Sequence, residues 1–154
     1  MALDAVMLWL SNWGAAIPVL CVLATRDRKA IINLVISLLF TWGLTEFLKF
    51  TVARPRPFEA GAAQLIGKAP GGWSFPSQHA AFTFTAATTT VLANRILGWI
   101  AFIFAALVAY SRVYLGVHYW SDVIAGAIIG SVIAYGVDRA MRQFEQRNKS
   151  RKKS

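Results

Sequence analysis

Charge is scarce in this chain, and acidic charge is scarcest. Only 15% of the 154 residues are charged, with seven Asp and Glu against sixteen Lys and Arg. Cysteine occurs once, so an intrachain disulfide and a thiolate metal cluster are both excluded. The single Cys21 lies in an apolar run, where a lone cysteine acts as a small hydrophobe. Polar surface is also missing. The composition is 56% hydrophobic and the mean hydropathy is +0.50, too apolar for a soluble domain of this length, so the excess must face lipid. The start, Met1-Ala2-Leu3-Asp4, lacks the basic run of a cleavable leader, and a retained first helix is expected instead. The shortage of acids leaves a formal charge of +9, which alone would suggest nucleic acid. Seven of the sixteen Lys and Arg, however, fall between Arg139 and Lys153, directly behind a hydrophobic segment. Clusters so placed mark the cytoplasmic side and attract anionic lipid, so membrane lipids and no nucleic acid are the expected partners.

What the chain does have is long apolar segments. A helix needs roughly 20 apolar residues to cross a bilayer. Five segments approach this: Ala5 to Ala24, Ala30 to Lys49, Ser77 to Asn94, Ile96 to Tyr110 and Trp120 to Val137. The fold class expected is all-α, a polytopic transmembrane bundle of about five spans. It forms one membrane-embedded domain over 1–154, with a basic cytoplasmic tail at 139–154. Four of the five prolines crowd into Thr51 to Pro76, which predicts an irregular extracytoplasmic loop rather than another long helix. Leu65 and Ile66 within it are expected to form a short interfacial piece. The third segment is rich in Ala and Thr, as a central helix in close contact with its neighbours would be, and Gly126 and Gly130 give the fifth a small-residue face for tight packing. The turn at 26–29, Arg95 and the tail carry more Lys and Arg than the opposite side, which places the C-terminus in the cytoplasm and the irregular loop outside.

The remaining charges and both histidines gather at the ends of these segments, on the outer side. Lys49 closes the second segment and Arg56 follows in Arg54-Pro55-Arg56-Pro57, where prolines hold a guanidinium ready for phosphate oxygens. Arg54 suits a lipid headgroup or an acidic partner equally well. Pro76-Ser77-Gln78-His79 opens the third segment, and a helix N-terminus is itself an anion site. Ser77 fits a helix cap or a phosphate donor. Arg112 closes the fourth segment. His118 and Asp122 stand four apart at the start of the fifth, so the carboxylate reaches the imidazole and fixes its tautomer. Two histidines and a carboxylate also suffice to bind a metal, but three cations on the same place repel a metal and attract an oxyanion. No metal and no cofactor are expected.

The ordered set Lys-x6-Arg-Pro, Pro-Ser-x-His and Ser-Arg-x5-His-x3-Asp, running from Lys49 to Asp122, resembles the signature of the type 2 phosphatidic acid phosphatase superfamily. One position departs from it, Gln78 standing where the family usually has Gly. The resemblance implies a metal-independent membrane phosphatase. In it His118 attacks phosphorus to form a phosphohistidine, Asp122 orients His118, and His79 protonates the leaving oxygen. Lys49, Arg56, Ser77, Arg112 and the backbone at Gln78 hold the phosphoryl group. The runs Arg-Pro-Arg-Pro-Phe and Ser-Arg-Val-Tyr-Leu-Gly-Val-His-Tyr are similar to those of bacterial undecaprenyl-diphosphate phosphatases. The implied substrate is therefore a lipid phosphate, first of all undecaprenyl diphosphate cleaved to the monophosphate at the periplasmic face of a bacterial inner membrane. Phosphatidylglycerophosphate, phosphatidate and lipid A phosphates are alternative substrates. Phosphoryl transfer between lipids is an alternative reaction, and an anion transporter a non-enzymatic alternative.

Overall fold

The computed structural model describes residues 1–152, and every regular element within them is helical. Helix α1 (Ala2–Trp9) runs through a π-helical turn (Leu10–Gly14) into α2 (Ala16–Ala24), and the two halves meet at a bend of 47°. Pro18, in the first turn of α2, has no N–H to return to the Gly14 carbonyl, which loosens the chain where it bends. Asp27 caps α3 (Arg28–Val52), its Oδ1 accepting from the Lys29 amide at 2.8 Å. The helix stops at Ala53, whose φ of 46° is left-handed. An irregular stretch then leads to α4 (Gln78–Ala93). Asn94 breaks the chain in an extended conformation and caps α5 (Arg95–Tyr114) by accepting from the Leu97 amide at 3.1 Å. Helix α6 (Trp120–Arg151) closes the bundle.

Helix α4 is the axis of the fold and packs on α2, α3, α5 and α6. Its Ala and Thr side chains are buried up to Thr90, and two of the hydroxyls are satisfied locally: Thr85 and Thr90 donate to the carbonyls four residues back at 2.8 and 2.7 Å. Thr41 of α3 meets Thr85 at 3.0 Å. The closest approach is to α6. A Cβ added to Gly126 would overlap the Ser77 carbonyl, and one on Gly130 the Ala81 carbonyl, so glycine is what lets the two backbones touch. The close packing expected of this pair rests on α4 as its partner.

Three helices, α3, α5 and α6, are long and apolar enough to cross a membrane, and the bent α1–α2 pair makes a fourth if it counts as one span. The chain is a multi-pass membrane protein. Helix α4, expected as a further span, has 16 residues and so extends about 24 Å against a core of about 30 Å. Surrounded by protein rather than lipid, it needs neither the length nor the hydropathy of a lipid-facing span. Lipid-facing character lies instead on the outer surfaces, where Trp42, Phe47, Trp99 and Trp120 are all more than half exposed. Two further segments take definite form. Leu65 and Ile66 form no helix; they pack on Met7, Leu10, Leu115 and Val117, and the Ile66 amide donates to the Leu115 carbonyl at 3.2 Å. The basic segment behind the last apolar run is helical: α6 continues unbroken to Arg151, and its Glu145 pairs with Lys29 in the first turn of α3 at 2.7 Å.

Candidate active site

At one end of the bundle the C-terminal end of α3, the irregular stretch, the start of α4, the end of α5 and the start of α6 converge. Asp122, fully buried, stands in the first turn of α6 and is surrounded by donors. Its Oδ2 accepts from the Tyr119 amide at 2.9 Å and from the Ser74 hydroxyl; its Oδ1 accepts from Arg54 Nη1 at 2.8 Å. His118 Nδ1 lies 3.5 Å from Oδ2, too long for a made hydrogen bond, and is otherwise unpartnered. Arg54 is thus bound to an acidic partner, which is Asp122 itself, and it also stacks over Tyr119 at 3.8 Å. Neither Ser74 nor Arg54 is singled out by the sequence signature, because their value lies in meeting a carboxylate 48 and 68 residues away.

The other face of the His118 ring meets Arg56, whose Nη1 approaches Nε2 at 3.4 Å. A guanidinium has no acceptor to offer, so Nε2 carries the lone pair and Nδ1 the proton turned toward Asp122. Burial pushes His118 from its ordinary value of 6.5 down to about 4; the nearby charges of Arg112 and Arg56 act in the same direction and the Asp122 carboxylate opposes them. The ring is therefore neutral at pH 7. Ring-labelled protein should show a His118 titration midpoint near 4 by NMR in the absence of substrate. A midpoint at 6.5 would mean that the ring is solvated and not enclosed among guanidinium groups.

Arg56 is itself largely committed. Nε, Nη1 and Nη2 donate to the carbonyls of Gly72, Val117 and Gly71, each at 2.9 Å. It clamps the irregular stretch to the loop that carries His118, and burial lowers its basicity. A direct phosphate contact from Arg56 is left little more than one free N–H. Arg112 is more open. Its Nη1 donates to Ser11 in the π-helical turn, while Nε is buried without a partner.

Ser77 precedes α4, but its hydroxyl does not cap the helix; Oγ is buried and unpartnered. The amides of the first turn of α4 have no intrahelical acceptors. His79, the second residue of α4, lies within electrostatic reach of Arg112, His118, Lys49 and Arg56. The two imidazoles and three cations proposed from sequence therefore do share one neighbourhood. Lys49 brings an unforeseen companion. Its Nζ donates to Glu46 Oε1 at 3.0 Å and to Gln78 Oε1 at 3.3 Å, while Gln78 Nε2 donates to the same Glu46 oxygen at 3.0 Å. The Gln78 side chain thus ties α4 to α3, a bond that glycine at this position does not supply.

Comparison with known proteins agrees with this architecture. The model of the PAP2 superfamily matches residues 30–147. An undecaprenyl-diphosphatase of Sulfolobus acidocaldarius is 41% identical over 140 residues, spanning 86% of this chain and 68% of the relative. Among solved structures, LpxE of Aquifex aeolicus superposes with a TM-score of 0.76 at 28% identity, covering 90% of this chain and 86% of that one. A transmembrane PAP2-type phosphatidylglycerolphosphate phosphatase from Bacillus subtilis gives 0.71 at 25% identity, with 92% and 77% covered. A family match over most of the chain, on a helical bundle that gathers the same ordered residues at one end, makes this protein a member of the PAP2 superfamily and a membrane phosphatase.

Proposed function

We propose that the protein cleaves a lipid diphosphate to the monophosphate through a phosphohistidine, undecaprenyl diphosphate being the substrate that the similarity to the Sulfolobus enzyme favours. The observation that carries this reading is the orientation of His118. Its Nδ1 faces the buried Asp122 carboxylate and its Nε2 faces the Arg56 guanidinium, the arrangement in which a neutral imidazole holds its proton on Nδ1 and its lone pair on Nε2. In the first step Nε2 forms a bond to the terminal phosphorus as the bridging P–O bond breaks. The lipid monophosphate leaves with a proton from His79. In the second step water forms a P–O bond as the P–N bond breaks, its proton passes to His79, and inorganic phosphate departs. Arg112, Lys49, the Ser77 hydroxyl and the amides at the start of α4 hold the phosphoryl oxygens, with Arg56 setting the loop geometry behind them. Such preorganised donors contribute most where charge builds up in the transition state.

The positive-inside bias supports the site facing the periplasmic or extracellular side of a cytoplasmic membrane, with the C-terminus inside and α4 as the fifth crossing. The test is phosphate release by purified protein in detergent containing EDTA, across lipid diphosphates, phosphatidylglycerophosphate, phosphatidate and lipid A. Activity should persist in EDTA and be highest on the diphosphate. Activity lost in EDTA and restored by a divalent metal would remove the two-histidine mechanism, and a preference for monoesters would remove the diphosphate assignment.

A further inference from the structure

Beside His79 lies a cavity of about 400 Å³, walled by the π-helical turn (Ser11, Asn12), by the irregular stretch around Lys68, and by Arg112. We propose that this cavity is a subsite for the phosphate that remains on the lipid, with Lys68 and Asn12 as its specificity-determining contacts. The proposal rests on the diphosphatase reading above and adds where the second phosphate sits.

The position of the cavity carries the argument. His79 lines it and His118 does not. In an in-line phosphoryl transfer the nucleophile and the leaving group stand on opposite sides of phosphorus. A space that adjoins the proton donor and is not lined by the attacking ring is therefore where the leaving group would extend. For a lipid diphosphate the first atoms of that leaving group are a phosphate.

The chemistry of the wall fits an anion there. No Asp or Glu lines it. Lys29, Lys49 and Arg54 are each paired with a carboxylate. Lys68, by contrast, has no ion-pair or hydrogen-bond partner among the described residues, so none of them neutralises it. Arg112, 7% exposed, adds a second cation to the wall. The approach of Lys68 is built in: Gly67 holds a φ of 92°, and a Cβ there would fall 2.7 Å from Leu8 of α1, so the loop lies flat on the bent helix. The π-helical turn widens the backbone where Ser11 reaches Arg112 and Asn12 reaches the cavity, and such turns recur at functional sites. Leu8, Ile66 and Leu115 complete the wall and give the first carbons of the lipid an apolar surface.

Farnesyl diphosphate and farnesyl monophosphate are the probes, with wild type, Lys68→Ala, Lys68→Arg, Asn12→Ala and, at the far end of the bundle, Arg95→Ala. One charge-assisted contact corresponds to about tenfold to hundredfold in kcat/KM. Lys68→Ala should lower the diphosphate-to-monophosphate ratio of kcat/KM at least about tenfold on that basis, Asn12→Ala should lower it less, Lys68→Arg should restore it, and Arg95→Ala should keep it. Inhibition by inorganic pyrophosphate should weaken in Lys68→Ala more than inhibition by inorganic phosphate. An unchanged ratio, or an equal fall on both substrates, would overturn the subsite while leaving the diphosphatase reading in place. A wild type that cleaves only the monophosphate would overturn both, before any variant is compared.

Discussion

Replacing His118 by alanine is expected to reduce kcat by about four orders of magnitude or more, the range seen when the nucleophile of a coupled catalytic set is removed. In this reading the His118 imidazole supplies the lone pair to phosphorus, and its enclosure keeps that pair unprotonated: the ring is buried to 4% exposure, neutral at pH 7, and faced on Nε2 by a donor that cannot protonate it without giving up its own charge. The loss should fall on kcat. Affinity for a phosphate analogue such as vanadate should survive, because Arg112, Lys49, Ser77 and the start of α4 remain. Two measurements check this: single-turnover formation of an acid-labile, base-stable phosphoenzyme in wild type, absent in His118→Ala, and vanadate binding to both. Undiminished turnover in the variant would move the covalent chemistry elsewhere. Phosphate flux across liposomes that persists in it would favour transport over hydrolysis.

The order of the motifs and the apolar runs between them were legible in the sequence because both are local. A cation at a helix end, a histidine in the first turn of a helix, and a His–Asp pair four apart each declare themselves within a few residues. The stations of the bundle followed from hydropathy. What stayed hidden was what depends on distant partners. Arg54 reads as an ambiguous surface cation until Asp122 arrives from 68 residues away. Glu46 looks like one polar residue near a helix end until Gln78 and Lys49 close a three-way contact around it. Hydropathy also measures lipid exposure rather than crossing, so it describes α3, α5 and α6 well and is least informative for α4, which is enclosed by protein. The bend in α1–α2 was foreshadowed only by Pro18. The π-helical turn that brings Ser11 to Arg112 has no sequence signal of its own.

Substituting Asp122 by asparagine should cost about 10³- to 10⁴-fold in kcat, by the reasoning that applies when a carboxylate orienting a catalytic histidine becomes an amide. The arrangement around it makes this substitution severe although it changes no volume. All its neighbours are donors: the Ser74 hydroxyl and Tyr119 amide at Oδ2, Arg54 at Oδ1, and the Nδ1–H edge of His118 behind them. An asparagine must turn its NH₂ toward one of these sets. Facing Oδ2's neighbours, it opposes the Tyr119 amide and the imidazole proton and favours the wrong tautomer. Facing Arg54, it sets donor against donor and leaves a guanidinium unpaired in a partly buried site, which is costly in itself. The start of α6 should loosen as well, since the Asp122 bond to the Tyr119 amide opens that helix. The two effects are separable. A loss from tautomer and charge leaves the melting temperature within a few degrees of wild type with kcat reduced, whereas a loss from misfolding lowers both together. Ser74→Ala and Arg54→Lys should give smaller, intermediate losses in kcat, because each removes or displaces one donor and leaves the carboxylate. If Asp122→Asn retained wild-type turnover, the carboxylate would be a helix cap and nothing more, and His118 would need no partner to act.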